Sequence, residues 1–279
     1  MPLVLPPNKK LAVSISSDFD AHSVWMGTFG STSPTYLSRG EFGAEVGVPR
    51  LLETFRHYGI KTTWCIPTHT MQTFPGQCEA VVSDGHEIAA HGVYHETITK
   101  LEPEEERRLM ELQIKQHEKF IGKRPSGYRS PAWDFSDTTL GLLEEFEFTW
   151  DSSLMGRDFE AYRPRPVIHQ SREEGNTFGE PSTILEIPVS WYLDDFPALE
   201  NLPRSVGMAS TEDVLKRWTD LFNFAYTRVP NGVFSLALHP QTIGRGHHML
   251  MLEQFLDHVA GHSGVWFAPI SEIAACWQD

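Results

Sequence analysis

Short apolar runs alternate with longer amphipathic stretches along the chain, a pattern that admits a βα series and excludes an all-β or all-α fold. Strands are predicted at Leu11 to Ser16, Thr62 to Ile66, Glu87 to Ala90, Gly127 to Arg129, Phe148 to Asp151, Leu185 to Val189, Val233 to Leu238 and Val265 to Phe267. Between them, Pro49 to Tyr58 places Leu51, Leu52 and Phe55 on one helical face, with Gly59 as a left-handed stop. Pro103 to Ile121 carries the clearest helix signals. Pro103 opens it, Glu104, Glu105 and Glu106 complement the positive N-terminal end, and Gly122 follows the last apolar residue. Further helices are predicted at Pro75 to Ser83, at Asp137 to Glu145 with Ser136 as N-cap, and at Thr211 to Tyr226, Met249 to Gly261 and Ile270 to Trp277. Two irregular inserts, Met155 to Ser182 and Asp194 to Ala209, interrupt the series, and inserts of that length serve as lids, binding loops or connections. Strands alternating with helices and no clean linker between them predict one barrel-like α/β domain over residues 1–279.

Composition narrows the partners. Lys plus Arg is 23 and Asp plus Glu 37, a net charge of −14 that repels phosphate backbones, so nucleic acid is not the expected partner. Three dispersed cysteines, Cys65, Cys78 and Cys276, form neither a disulfide framework nor a cysteine zinc site. No run of 18 apolar residues occurs, so no membrane span is expected. At the start the lysines follow a three-residue apolar run instead of preceding it, unlike a secretory signal, and the expected location is the cytoplasm.

In a barrel of parallel strands, reactive groups gather where the strands end. Asp18 and Asp20 follow the first predicted strand, His91 the third, and Arg129, Asp151 and His239 end or follow later ones. His91 and His95 are four apart, a spacing that brings two imidazoles to one side of a helical turn or tight loop. With a carboxylate they make a nitrogen-rich set suited to a zinc-class divalent ion. The nearby His86-Glu-Ile-Ala-Ala-His91 is not a metalloprotease helix, because its histidines are five apart and point to different faces. Residues two apart in an extended segment share a face, so Asp18 and Asp20 point into one space. Their repulsion is offset if a bound cation takes one carboxylate and Arg129 the other. Trp25, Trp133, Trp191 and Tyr192 are candidates for a pocket wall, with core packing as the competing role. Arg157, Arg163, Arg165 and Arg172 attract an anionic substrate or simply solvate a loop.

Asp18-Phe-Asp20, His91-x3-His95, Arg129-Ser-Pro-Ala-Trp133, Asp151-Ser-Ser-Leu154 and Leu238-His239-Pro240 follow one another in the order of the five motifs of polysaccharide deacetylases. The chain resembles that NodB-homology family of carbohydrate esterases from about Leu11 to Ile273. It is most similar to the cytoplasmic branch of peptidoglycan-deacetylase-like proteins, cyclic imide hydrolases and allantoinase-like proteins. Shared features are the Trp25–Gly30 segment, Ser38-Arg-Gly40, Glu45 to Arg50 and Glu186 to Asp195. The resemblance implies a distorted (β/α)7 barrel with long loop inserts and a homotetramer. It implies a divalent metal, Zn2+, on Asp20, His91 and His95, with Asp18 as general base and Arg129 orienting it. His239 corresponds to the general acid, with Asp151 as its partner. In the secreted deacetylases the two aspartates are adjacent and a glycine follows; here Phe19 separates them and Ala21 follows, which leaves the division of labour between Asp18 and Asp20 open.

The expected activity is metal-assisted hydrolysis of a non-peptide amide bond. A small amide or imide substrate, cyclic or open, ranks first, since no export signal is read at the start of the chain and the inserts are long enough to close over a small pocket. A sugar N-deacetylase is the alternative, and a non-catalytic metal- or sugar-binding barrel a third reading.

Overall fold

The computed structural model describes residues 3–202 and 207–278. Its strands, in chain order, are β1 (Leu11–Asp18), β2 (Thr63–Ile66), β3 (Glu87–Ala90), β4 (Gly127–Tyr128), β5 (Trp150–Asp151), β6 (Val167–His169), β7 (Thr177–Phe178), β8 (Leu185–Glu186), β9 (Gly232–Leu238) and β10 (Val265–Phe267). Eight of them form one sheet in the order β10-β1-β2-β3-β4-β5-β8, with β9 also on β1. Every pairing in it is parallel. Parallel strands are covered on both faces, which is why β1 and β9 are buried at every position and read as nearly unbroken apolar or small residues.

The sheet curls until the segment after β8 reaches β9, where an isolated parallel bridge joins Asp194 to Ala237. The result is a distorted β/α barrel whose β8–β9 seam is one bridge and not a ladder. β1 is its hub. One edge pairs with β9 from Leu11 opposite Gly232 to Ser17 opposite Leu238. The other is divided between β10, at Leu11 to Val13, and β2, at Ser17 and Asp18. Outside this ring, helices Val48–Tyr58, Thr211–Arg228 and Gly246–Ala260 bury Phe55, Trp218, Phe222 and Phe255 against Trp64 and Phe234.

Helices Pro75–Ser83 and Pro103–Ile121 occupy the residues that their caps predict, and Gly59 and Gly122 close their helices at φ of 65° and 82°. The helix Pro34–Phe42 has no counterpart in the sequence reading. Gly40 lowers its helix propensity, yet that glycine is required: a Cβ there would meet the Ala21 carbonyl at 2.5 Å. The insert Met155 to Ser182 is not structureless, since β6 and β7 form an antiparallel hairpin within it. The insert Asp194 to Ala209 contains a helix, Asp195–Leu199, and its residues 203–206 lie outside the described ones. Among the described residues no helix is long and apolar enough to cross a membrane.

Candidate active site

The strand ends converge as the parallel topology requires. Asp18 ends β1, His91 follows β3, Arg129 follows β4 and His239 follows β9, and all four side chains are buried. Phe19, between the two aspartates, turns inward and packs edge-on against Trp64, so Asp18 and Asp20 open on the same side.

Asp20 Oδ1 lies 3.3 Å from His91 Nε2 and 3.7 Å from His95 Nε2. The two imidazoles come from a loop, not a helical turn: Gly92 and His95 have φ of 73° and 60°. His91 Nδ1 donates to the Arg129 carbonyl oxygen at 2.7 Å. His95 Nδ1 donates to Thr28 Oγ1 at 2.6 Å, while the Thr28 hydroxyl donates to the His95 carbonyl oxygen. Each Nδ1 is thereby engaged and each Nε2 lone pair is left facing Asp20. Both Asp20 oxygens and His91 Nε2 are buried without a hydrogen-bond partner. Three ligand atoms within 4.8 Å of one another, with lone pairs otherwise unsatisfied, fit a divalent cation.

Asp18 faces the other way. Arg129 Nη1 donates to its Oδ1 at 2.6 Å and Trp133 Nε1 to its Oδ2 at 3.2 Å. The guanidinium is held in turn by the Ser16 and Ser152 hydroxyls and the Ser152 carbonyl. Burial is the largest single influence on Asp18 and raises its pKa, but the charges of Arg129, His91 and His239 together with the Arg129 hydrogen bond outweigh it and hold the carboxyl well below the usual carboxylate range. Ala132 and Trp133 have φ of 54° and 55°, a left-handed pair that aims the indole at Asp18.

His239 Nε2 is 3.9 Å from Asp18 Oδ2 and 3.8 Å from Asp20 Oδ2. Behind it, Nδ1 donates to Asp195 Oδ1 at 2.8 Å, and Asp194 Oδ1 lies 3.3 Å away. Burial opposes the charge on His239, yet Asp194 and Asp195 carry its pKa well above the ordinary histidine value. Burial pushes Asp195 up to about 7. Asp194, Asp195 and His239 also group within metal-binding reach, but Nδ1 already donates to Asp195, so this set holds a proton instead of a cation.

Asp151 does not pair with His239. Its carboxyl accepts from Ser153 Oγ at 2.8 Å and abuts Glu186, which accepts the N–H groups of Ser153 and Leu154. Burial pushes Asp151 up to about 6, and burial with the Asp151 charge carries Glu186 well above its ordinary value. The histidine's partners are Asp194 and Asp195 because the insert after β8 lies along β9. The expected assignment fails because contact with an insert leaves no local sequence pattern.

A cavity of about 190 Å³ opens onto Asp18, Asp20, His91, His95 and His239, walled by Trp133 and Trp191. These two rings stack at 4.6 Å. Trp25 is not in the wall. It is wholly buried, capped by the Arg39 guanidinium 4.1 Å from its ring and packed on Tyr36 and Phe196. Tyr192 is exposed and lies outside the cavity. Arg157, Arg163, Arg165 and Arg172 belong to the insert around β6 and β7 and do not line it either.

Glu96, absent from the sequence reading, is buried and accepts the N–H groups of Val93, at 3.0 and 3.1 Å, and Tyr94, at 2.9 Å. It staples the loop that carries both imidazoles. An acid directly after the second histidine was the available signal.

Over 95% of its length this chain is 35% identical to a peptidoglycan deacetylase of Helicobacter pylori, of which 96% is covered. The chain belongs to the polysaccharide deacetylase family. The polysaccharide deacetylase family pattern itself matches residues 39–150, which include His91, His95 and Arg129. A Mycobacterium smegmatis crystal structure assigned to the polysaccharide deacetylases superposes with a TM-score of 0.85 at 30% identity, covering 98% of this chain and 92% of that one. An allantoinase crystal structure shares the fold, with a TM-score of 0.80 at 22% identity over 99% and 93% of the two chains. Like its relatives, this polysaccharide deacetylase family member is a hydrolase of carbon–nitrogen bonds other than peptide bonds.

Proposed function

We propose that the protein removes an acetyl group from the nitrogen of an N-acetylated amino sugar, with a divalent ion, Zn2+ by donor type, on Asp20, His91 and His95. What carries this reading is that the three ligating side chains, Asp18 and His239 all open into one cavity, in a chain related over its length to a peptidoglycan deacetylase. That relationship reverses the order set by the sequence alone, where a small amide ranked first.

The ion would polarise the acyl carbonyl and make a water at the site more acidic. Asp18, kept ionised by Arg129, accepts the proton of the attacking water at Oδ2, and Trp133 Nε1 fixes that oxygen. His239, kept protonated by Asp194 and Asp195, gives its Nε2 proton to the departing nitrogen as the C–N bond breaks. The products are acetate and the free amine. The geometry supports Asp20 as ligand and Asp18 as base, because Asp20 has both imidazoles beside it whereas Asp18 has the guanidinium.

A small cyclic amide is a second reading, favoured by the cavity of about 190 Å³, which is below the roughly 300–1,000 Å³ usual for drug-sized ligands. Acetate release from N-acetylglucosamine oligomers by the zinc-loaded protein, lost on chelation, is the expected result. Ring opening of succinimide or hydantoin with the oligomers untouched would establish the second reading instead.

A further inference from the structure

The inner cavity, about 190 Å³, encloses little more than one sugar ring with its acetamido group, so a longer substrate must continue outward. A second, open groove of about 470 Å³ shares Trp191 and Pro197 with it as a common wall. On its outer side stand Tyr192, 67% exposed, and the outer part of Trp191, which is 45% exposed. Large aromatic faces left in water at the mouth of a site are suited to the C–H face of a sugar ring. Arg217, half-buried on the helix Thr211–Arg228, lines the same groove. It makes no ion pair or hydrogen bond among the described residues. In a chain with net charge −14, an unpaired guanidinium beside two aromatic rings marks a place for an anion.

Resting on the deacetylase reading above, the geometry points to this groove as the subsite for the neighbouring sugar residue, one that carries a carboxylate. The ring lies against Tyr192 and Trp191, and the carboxylate pairs with Arg217. Trp191 then has two roles, since its other contact is the stack on Trp133, the residue bonded to Asp18.

The test compares three substrates: N-acetylglucosamine, its neutral disaccharide, and the N-acetylglucosaminyl–N-acetylmuramic acid disaccharide. Wild type is set against Tyr192→Ala and Arg217→Gln, neither of which touches the reacting cavity. Arg217→Gln is expected to raise KM for the carboxylated disaccharide about tenfold, the low end for a charged hydrogen bond. It leaves kcat and both neutral substrates unchanged. Tyr192→Ala raises KM for both disaccharides and spares the monosaccharide. Unchanged KM in both variants, or an equal rise for all three substrates, overturns the subsite. Should wild type cleave none of the sugars, the deacetylase reading falls separately. Equilibrium binding of the carboxylated disaccharide then decides: affinity weakened in both variants sustains the subsite, and no binding, or binding insensitive to them, removes it.

Discussion

Glu96→Ala isolates what holds the loop of His91 and His95 in shape. The carboxylate is 2% exposed and receives two backbone N–H groups, those of Val93 and Tyr94. Removing it strands both donors, and a buried donor left unmade costs about 1–3 kcal/mol, so the pair costs about 2–6 kcal/mol. Tyr94 is at the surface, where water replaces its bond, which places the expected loss near the lower end. The rest of the loop keeps its anchors: Gly92 N–H on Gln113 Oε1, and the Gly92 and Val93 carbonyls on the Thr68 and His69 N–H groups. The chain therefore folds, with the span between the two imidazoles loosened. Loss of a partner that orients metal ligands typically costs about 10–100-fold in affinity. Two measurements check this: urea unfolding in excess chelator gives the stability of the ion-free protein, and competition with a chromophoric chelator gives the Zn2+ affinity. Glu96→Gln keeps one acceptor oxygen and falls between wild type and Glu96→Ala in both. Zn2+ affinity within twofold of wild type in Glu96→Ala would refute the reasoning, whatever happened to stability.

Replacing His239 with Ala should leave zinc stoichiometry unchanged, because Asp20, His91 and His95 do not depend on it, while turnover of the N-acetyl substrate falls about 10²–10⁴-fold. Elemental analysis of the protein used in the assay separates the two effects. His117 is wholly enclosed and burial pushes its pKa down to about 4, against about 6.5 in the unfolded chain. The unfolded state therefore binds the extra proton between those values, so stability is full above about pH 6.5 and falls as the pH drops towards 4. From pH 7 to pH 5 the loss is about 2 kcal/mol, and His117→Leu should remove that share of the slope in urea midpoints measured at both pH values. An identical slope in the variant would show that other groups carry the acid limb.

Local rules made much of the fold legible in the sequence. Helix Pro103–Ile121 is marked by a proline, three acids and a glycine, each acting within one turn, and the structure begins and ends it at those residues. The helix Pro34–Phe42 was hidden because Gly40 answers to a distant constraint, the backbone of Ala21, and not to helix propensity. The site divides along the same line. His91, His95, Asp18 and Asp20 signal themselves by spacing, whereas Asp195 reaches His239 across 44 positions from an insert without periodicity. Trp25 and Tyr192 show the complementary failure. An aromatic near a strand end has no sequence mark that tells a cavity wall from a core position or an outer face, and here Arg39 seals the first inside while the second stays in solvent.

The pairing of β1 with β9 has a temporal meaning. Ser16 Oγ donates to the Leu236 carbonyl 220 positions away, so Asp18 and Asp20 meet His239 only after β9 has been synthesised. Closing so long a loop is slow to be rewarded by contacts. A nascent polypeptide still short of β9 thus carries Asp20, His91 and His95 without His239. Assembly of the site is therefore completed only when β9 docks on β1.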